Sequence, residues 1–546
     1  MLALKHDIIG NQITGWGETP VIAQNGIQVS RGATAIVQEN TVSGHWYTGD
    51  NWSSAGILLY EAGDTTVTGN TLNKNQVAIY TNSRASFPAV LNNSFGTADL
   101  SNGLDVNVKT DGWPAPDEVW VDPAYAGLED GTIVGQAIVG YNACPSISEG
   151  IAEVAYNGTV YVAAGTYAEN LNINKPISLN GAQAGVDARD RDSSEESVIT
   201  GDTEWLRIRA GGVTIDGFTI DSAGWDGHIA PEANNITIKN NIIKRQIYVA
   251  TGISNLTVTK NSFEDIGTGE QKASAFTSEK GIAGLKIEAN NFTNIGYSAV
   301  ILAGSEKYEN TVIKDNYIYR CGYQAFNLAG DQDGLLVTGN YIENACSEVD
   351  WDTQPDRGGI RIYGSAFTGP VNITNNTVVD SYNGFAVRNG ENIEGKEINV
   401  THNKFLGNQN AGVYHGGTGT LNAILNYWGA PTGPTVDGEG RDQVKCVPWY
   451  ADEALSDMVV GDNIVLNATK GRSYTGIQAA INEAGDGDTI LVGAGEYEEN
   501  LIINGKKIVL LSTDGAEATI IEPAEKDRDT IYITGSTDGV QIGSEG

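Results

Sequence analysis

One frame of apolar and polar positions recurs along the chain: an apolar residue, two residues of any kind, Asn, any residue, then an apolar one. It reads Val67-Thr68-Gly69-Asn70-Thr71-Leu72, Val258-Thr259-Lys260-Asn261-Ser262-Phe263 and Val337-Thr338-Gly339-Asn340-Tyr341-Ile342. The same frame fits Asn11, Asn40, Asn93, Asn241, Asn290, Asn316, Asn376, Asn403 and Asn426. From Asn241 to Asn426 the mean step is about 26 residues, a period that signals a solenoid whose turns bury one face against the next. Steps also carry period-two runs such as Gly56-Ile57-Leu58-Leu59, Ala299-Val300-Ile301-Leu302 and Gly384-Phe385-Ala386-Val387. Alternation of this kind is a strand signature, whereas helical repeats would need a period of about 3.6. The pattern predicts an all-β coil of parallel strands, each turn bonded to its neighbours. Asn is expected at the corners because it tolerates the left-handed backbone of a sharp bend, and because stacked amides bond to one another along the axis.

A longer repeat lies above this one. Asn70 recurs as Asn403 and Asn93 as Asn426, both at the same displacement. Gly165-Thr166-Tyr167-Ala168-Glu169-Asn170-Leu171 matches Gly495-Glu496-Tyr497-Glu498-Glu499-Asn500-Leu501 at a displacement of 330. The chain therefore reads as tandem units of about 330 residues, each a stack of the shorter steps. Residues 1–96 form the C-terminal turns of a first unit, 97–143 a Pro-rich connector, 144–429 a complete unit, 430–472 a second connector, and 473–546 the cap and first turns of a third. Amphipathic runs from Ser146 to Ala155 and from Thr475 to Ala484 predict a short capping helix at the start of each unit, laid over strand edges that would otherwise aggregate.

Charge narrows the partners. Asp and Glu number 68 against 33 Lys and Arg, a net charge of −35, so nothing neutralises the phosphates of a nucleic acid. No run approaches the roughly 20 apolar residues of a membrane-spanning helix. The opening Met1-Leu2-Ala3-Leu4-Lys5-His6-Asp7 lacks the form of a secretory signal, and the expectation is a removed address or an excerpt of a longer chain. Four cysteines cannot build a disulfide framework. Cys321 and Cys346, separated by close to one short step, are a candidate bridge between neighbouring turns, although their offsets from the Asn frame differ by one position. Five scattered His argue against zinc, while surplus carboxylate on a Gly-rich surface admits calcium and no other cofactor is expected.

Two loops carry candidate chemistry. The longest step, from Asn340 to Asn376, holds Asp350, Trp351, Asp352, Asp356 and Arg357, with Arg361 on the next strand; if the protein is an enzyme, the acids and the two Arg are its catalytic set. The outward residues Gln28, Leu58, Tyr80, Ile301, Asn327, Arg361, Ala386 and Tyr414 offer no stacked pair of carboxylates of the kind that glycoside hydrolysis requires. The other loop, residues 46–52, offers Trp46, Tyr47, Asp50 and Trp52 as a carbohydrate-binding group; the alternative is a loop folded back over the solenoid flank.

These residues also match a known pattern. Ile477-Gln478-Ala479-Ala480-Ile481, then Gly487-Asp488-Thr489-Ile490-Leu491-Val492 and Gly495-Glu496-Tyr497, resembles the first turns of right-handed parallel β-helix proteins of the pectin-lyase-like and NosD-like group. Asn426-Tyr427-Trp428-Gly429 with Gly433-Pro434 looks like the closing turn of bacterial and archaeal envelope proteins built from such repeats. The resemblance implies a β-helix solenoid and leaves function open, because this fold hosts lyases, hydrolases, adhesins and structural proteins. The leading expectation is a non-enzymatic, extracellular cell-surface protein that assembles with copies of itself into a surface layer, sheath, filament or adhesin. The alternatives are a polysaccharide lyase or glycoside hydrolase, and an adhesin that binds surface glycans.

Overall fold

Alternation of buried and exposed positions builds the strands, and their spacing closes them into turns. In the computed structural model, residues 6–81, 93–95, 106–109, 115–191, 195–201, 206–221, 228–270, 272–348, 354–430, 432–456, 458–470, 472–535 and 539–544 are described. They fall into two compact units, residues 1–242 and 243–546. In the first unit, strands Asn25–Ser30, Ala55–Tyr60 and Val77–Thr81 pair in parallel, as do Gln12–Thr19, Thr41–Tyr47 and Thr71–Asn73, and His6–Ile9, Ala35–Gln38 and Thr66–Thr68. Each strand meets the strand one full turn later. Ile27, Ile57 and Ile79 therefore stack in register inside the coil, and Gln28, Leu58 and Tyr80 form a column outside it. Farther along this unit, Glu118–Val121, within the segment read as a connector, pairs with Thr159–Val162 and opens a second run of parallel strands.

The second unit repeats the scheme. Strands Phe276–Ser278, Val300–Leu302, Phe326–Leu328, Ile360–Ile362, Asn383–Val387 and Ala411–His415 form one parallel face. Inside it Phe263 and Phe292 stack with ring centroids 4.6 Å apart. The fold is an all-β, mostly parallel solenoid with few helices. Among the described residues no helix is long and apolar enough to cross a membrane.

The frame asparagines form ladders. In the first unit Asn11, Asn40 and Asn70 each donate from Nδ2 to the Oδ1 of the next frame Asn, ending at Asn93, over 2.8–2.9 Å. In the second, an unbroken series joins Asn261, Asn290, Asn316, Asn340, Asn376, Asn403 and Asn426. Asn241 is also buried, its Oδ1 accepting from the Phe218 amide at 2.9 Å. One expected reason for Asn is corrected here. The left-handed residue is the one before the Asn, as at Glu39, Lys260, Ala289, Asp315 and His402, with φ of 54–58°. The bend falls on a neighbour so that the amide itself can point inward.

Two short helices follow the predicted positions, Ile147–Glu153 (α1) and Ile477–Glu483 (α2). Both are gripped at each end. The Glu169 carboxylate accepts from the Ile147 and Ser148 amides at 2.8 Å, and Lys175 donates to the Ala152 and Val154 carbonyls. Glu499 accepts from Ile477 and Gln478 at 2.7 and 2.8 Å, and Lys506 donates to the Ile481 and Asn482 carbonyls.

The expected disulfide is absent: Cys321 and Cys346 are free and fully buried. Cys321 stands in register with Ala345, and Cys346 lies one position further on, at a left-handed turn with φ of 65°. That offset takes the second thiol out of the strand register.

Candidate functional site

The outward column is open in the first unit and covered along part of the second. In the second unit its members Arg361, Ala386 and Tyr414 are buried although they point away from the coil axis. Asp350, Trp351 and Asp352 lie outside the described residues. Asp356 is described, and its Oδ2 accepts from Arg361 Nη2 at 2.7 Å and from the Asn389 amide at 3.1 Å. Arg361 also donates from Nε to the Asp356 carbonyl and from Nη1 to the Tyr363 hydroxyl, with its guanidinium 4.9 Å from the Tyr363 ring centroid. Arg357 turns to Gln354 Oε1 at 2.8 Å and to the Tyr323 ring.

Burial alone would raise the Asp356 carboxyl, but the Arg361 guanidinium and the Asn389 amide outweigh it and hold it below the usual carboxylate range. A general acid at neutral pH needs the opposite shift. The described part of this loop is thus an ion pair that pins the roof to the coil.

In the first unit the same column borders a groove of about 980 Å³, walled by residues 21–23 on one side and 47–53 on the other. Gln28, Leu58 and Tyr80 line its floor with Asn25, Tyr60 and Gln76; Tyr47, Asp50, Asn51 and Trp52 rise from the longer loop. Trp52 is 73% exposed and Tyr60 45%. Trp16, 93% exposed, is held beside the groove's other wall because its amide donates to Gln24 Oε1 at 2.9 Å.

Of the four sequence candidates, Tyr47, Asp50 and Trp52 come together here. Trp46 does not: like the adjacent His45 it is buried, at 8% exposure. A residue overlooked in the sequence organises the loop. Buried Gln76 accepts through Oε1 from the Tyr47 amide at 3.1 Å and the Ser54 amide at 2.8 Å, clasping both stems. The available signal was the recurrence of Asn75-Gln76 as Asn408-Gln409. Gly49 lets the Tyr47 ring lie close over it, since a Cβ there would push the hydroxyl end of that ring aside.

Elsewhere, Tyr317 and Tyr341 stack at 5.5 Å on an exposed face of the second unit. Among the described residues no three His, Cys, Asp or Glu are gathered as a metal site.

Comparison with known proteins agrees with this architecture. Residues 271–427 match the family described as "Right handed beta helix region". Residues 5–124, which include the whole groove, match "Periplasmic copper-binding protein (NosD)". A solved PL6 family alginate lyase, AlyGC, aligns at 13% identity over 78% of this chain and 71% of its own, with a TM-score of 0.23, too low to carry an argument. No curated protein matches the chain. The fold is a right-handed parallel β-helix of the pectin-lyase and NosD-like kind.

Proposed function

We propose that this protein works outside the cytoplasm and binds an extended glycan along the groove of its first unit. The observation that carries the reading is the exposure of Trp52 and Tyr60 beside the amides of Asn25, Gln28 and Asn51. Here the two exposed aromatics flank hydrogen-bonding groups, the combination that a sugar with one apolar face and a hydroxyl rim requires. The match of residues 5–124 to a periplasmic protein supports the location.

Calorimetric titration against a glycan panel, with and without calcium, tests the reading. Trp52→Ala is expected to weaken the tightest glycan at least tenfold, about 1.4 kcal/mol, while Asp356→Asn leaves binding unchanged. Equal affinity of wild type and Trp52→Ala for every glycan would refute it. The reading assigns binding without turnover, so new reducing or unsaturated ends on a bound glycan would also count against it.

We further infer that the chain is a scaffold of tandem units of about 330 residues, divided at 97–143 and 430–472. What favours this is the same kind of grip on α1 and α2, Glu169 with Lys175 and Glu499 with Lys506, at nearly the same sequence displacement. On this reading the helices cover the first turn of their units.

A further inference from the structure

The groove's charge identifies the class of glycan, an inference that rests on the glycan-binding reading above. Among the described residues the lining supplies amides from Asn25, Gln28 and Asn51 and hydroxyls from Tyr47 and Tyr60, and no Lys or Arg. Their one charged member is Asp50, which is exposed. In the long repeat Gly26-Ile27-Gln28 corresponds to Gly359-Ile360-Arg361, so the roofed column of the second unit holds Arg361 where the open column holds Gln28. A guanidinium therefore fits this place in the coil, and the open copy has an uncharged amide there. One strand beyond the lining residues, Lys109 stands in register with Tyr80.

A polyuronate or sulfated chain carries a negative charge on most of its sugars. In this groove those charges would meet Asp50 and the field of a chain with net charge −35, with no guanidinium fork among the described lining residues to receive a carboxylate. A neutral chain avoids that repulsion and uses everything the groove offers: stacking on Trp52 and Tyr60, and amide hydrogen bonds along the floor. We propose that the groove selects uncharged polysaccharides and rejects polyuronates and sulfated glycans.

The full chain is titrated with neutral β-glucan, xylan, mannan and α-glucan, and with alginate, polygalacturonate and a sulfated galactan of matched length, at low and high sodium chloride. The tightest neutral chain is expected to bind at least about tenfold more strongly than any anionic one at low salt, and the gap is expected to narrow as salt screens Asp50 and the protein's field. Gln28→Arg is expected to narrow the same gap from the other side by strengthening polyuronate binding. A wild-type preference for an anionic glycan that Lys109→Gln abolishes would overturn the proposal and leave the groove standing as a glycan site. Binding of no glycan, or binding indifferent to Trp52→Ala, would overturn the groove reading and the proposal together.

Discussion

Asn316 illustrates what the recurrent amide contributes. Its Oδ1 accepts from the Asn290 backbone and side chain at 3.0 Å, while its Nδ2 donates to the Ile287 carbonyl and to Asn340 Oδ1 at 2.9 Å. Removing it strands several buried groups at about 1–3 kcal/mol each, so Asn316→Ala should destabilise the fold by about 3 kcal/mol or more in calorimetry. Asn316→Asp should cost nearly as much, because a carboxylate accepts but cannot donate. Ala289→Gly, one position before a ladder Asn and at φ of 55°, should be neutral or slightly stabilising, since the left-handed penalty of about 1 kcal/mol falls on that residue. The ladder was legible in the sequence because its flanking apolar positions are fixed. Which residue takes the bend was not legible, because Glu, Lys, Ala, Asp and His all fill that place at a modest cost.

At the scale of elements, the helix grips are the clearest device. A carboxylate accepting two amides at a helix start is a charge-assisted cap, and an ammonium on the last carbonyls completes the favourable pairing with the helix dipole. Glu169→Ala and Glu499→Ala are each expected to cost about 1–2 kcal/mol and to speed hydrogen exchange in Ile147–Glu153 and Ile477–Glu483 respectively, with no change at the other helix. Exchange unaltered in both variants would show that apolar packing alone holds the helices. The helices themselves were readable from their amphipathic runs. The role of the Glu was not, because its amide partners lie almost a full turn earlier in the chain.

For the molecule as a whole, two buried imidazoles and a half-buried one link folding to pH. Burial lowers the pKa of His45, His402 and His415, against smaller opposing hydrogen bonds that His45 makes to the Asn75 side-chain oxygen and His415 to the Gly419 carbonyl. With folded pKa values below the unfolded value of about 6.5, the unfolded chain takes up protons that the folded one refuses. Stability should be full above about pH 6.5 and fall as pH drops below it, and Asp356, whose pKa is lowered, should add a further loss in the carboxylate range. Melting temperatures between pH 8 and 4 measure this. A flat profile from pH 7 to 5 would contradict it, and His402→Asn, suited to the left-handed φ of 58°, should flatten it in part. By itself the sequence determined the coil, its Asn ladder and its helices, because each of these repeats a local pattern of side-chain polarity and size. Only the tertiary structure decided that Trp46 is buried while Tyr47 and Trp52 line a groove, and that one column is open while its counterpart is covered where Arg361 pairs with Asp356. Those outcomes depend on how each loop settles over neighbouring turns, and strand alternation carries no record of that.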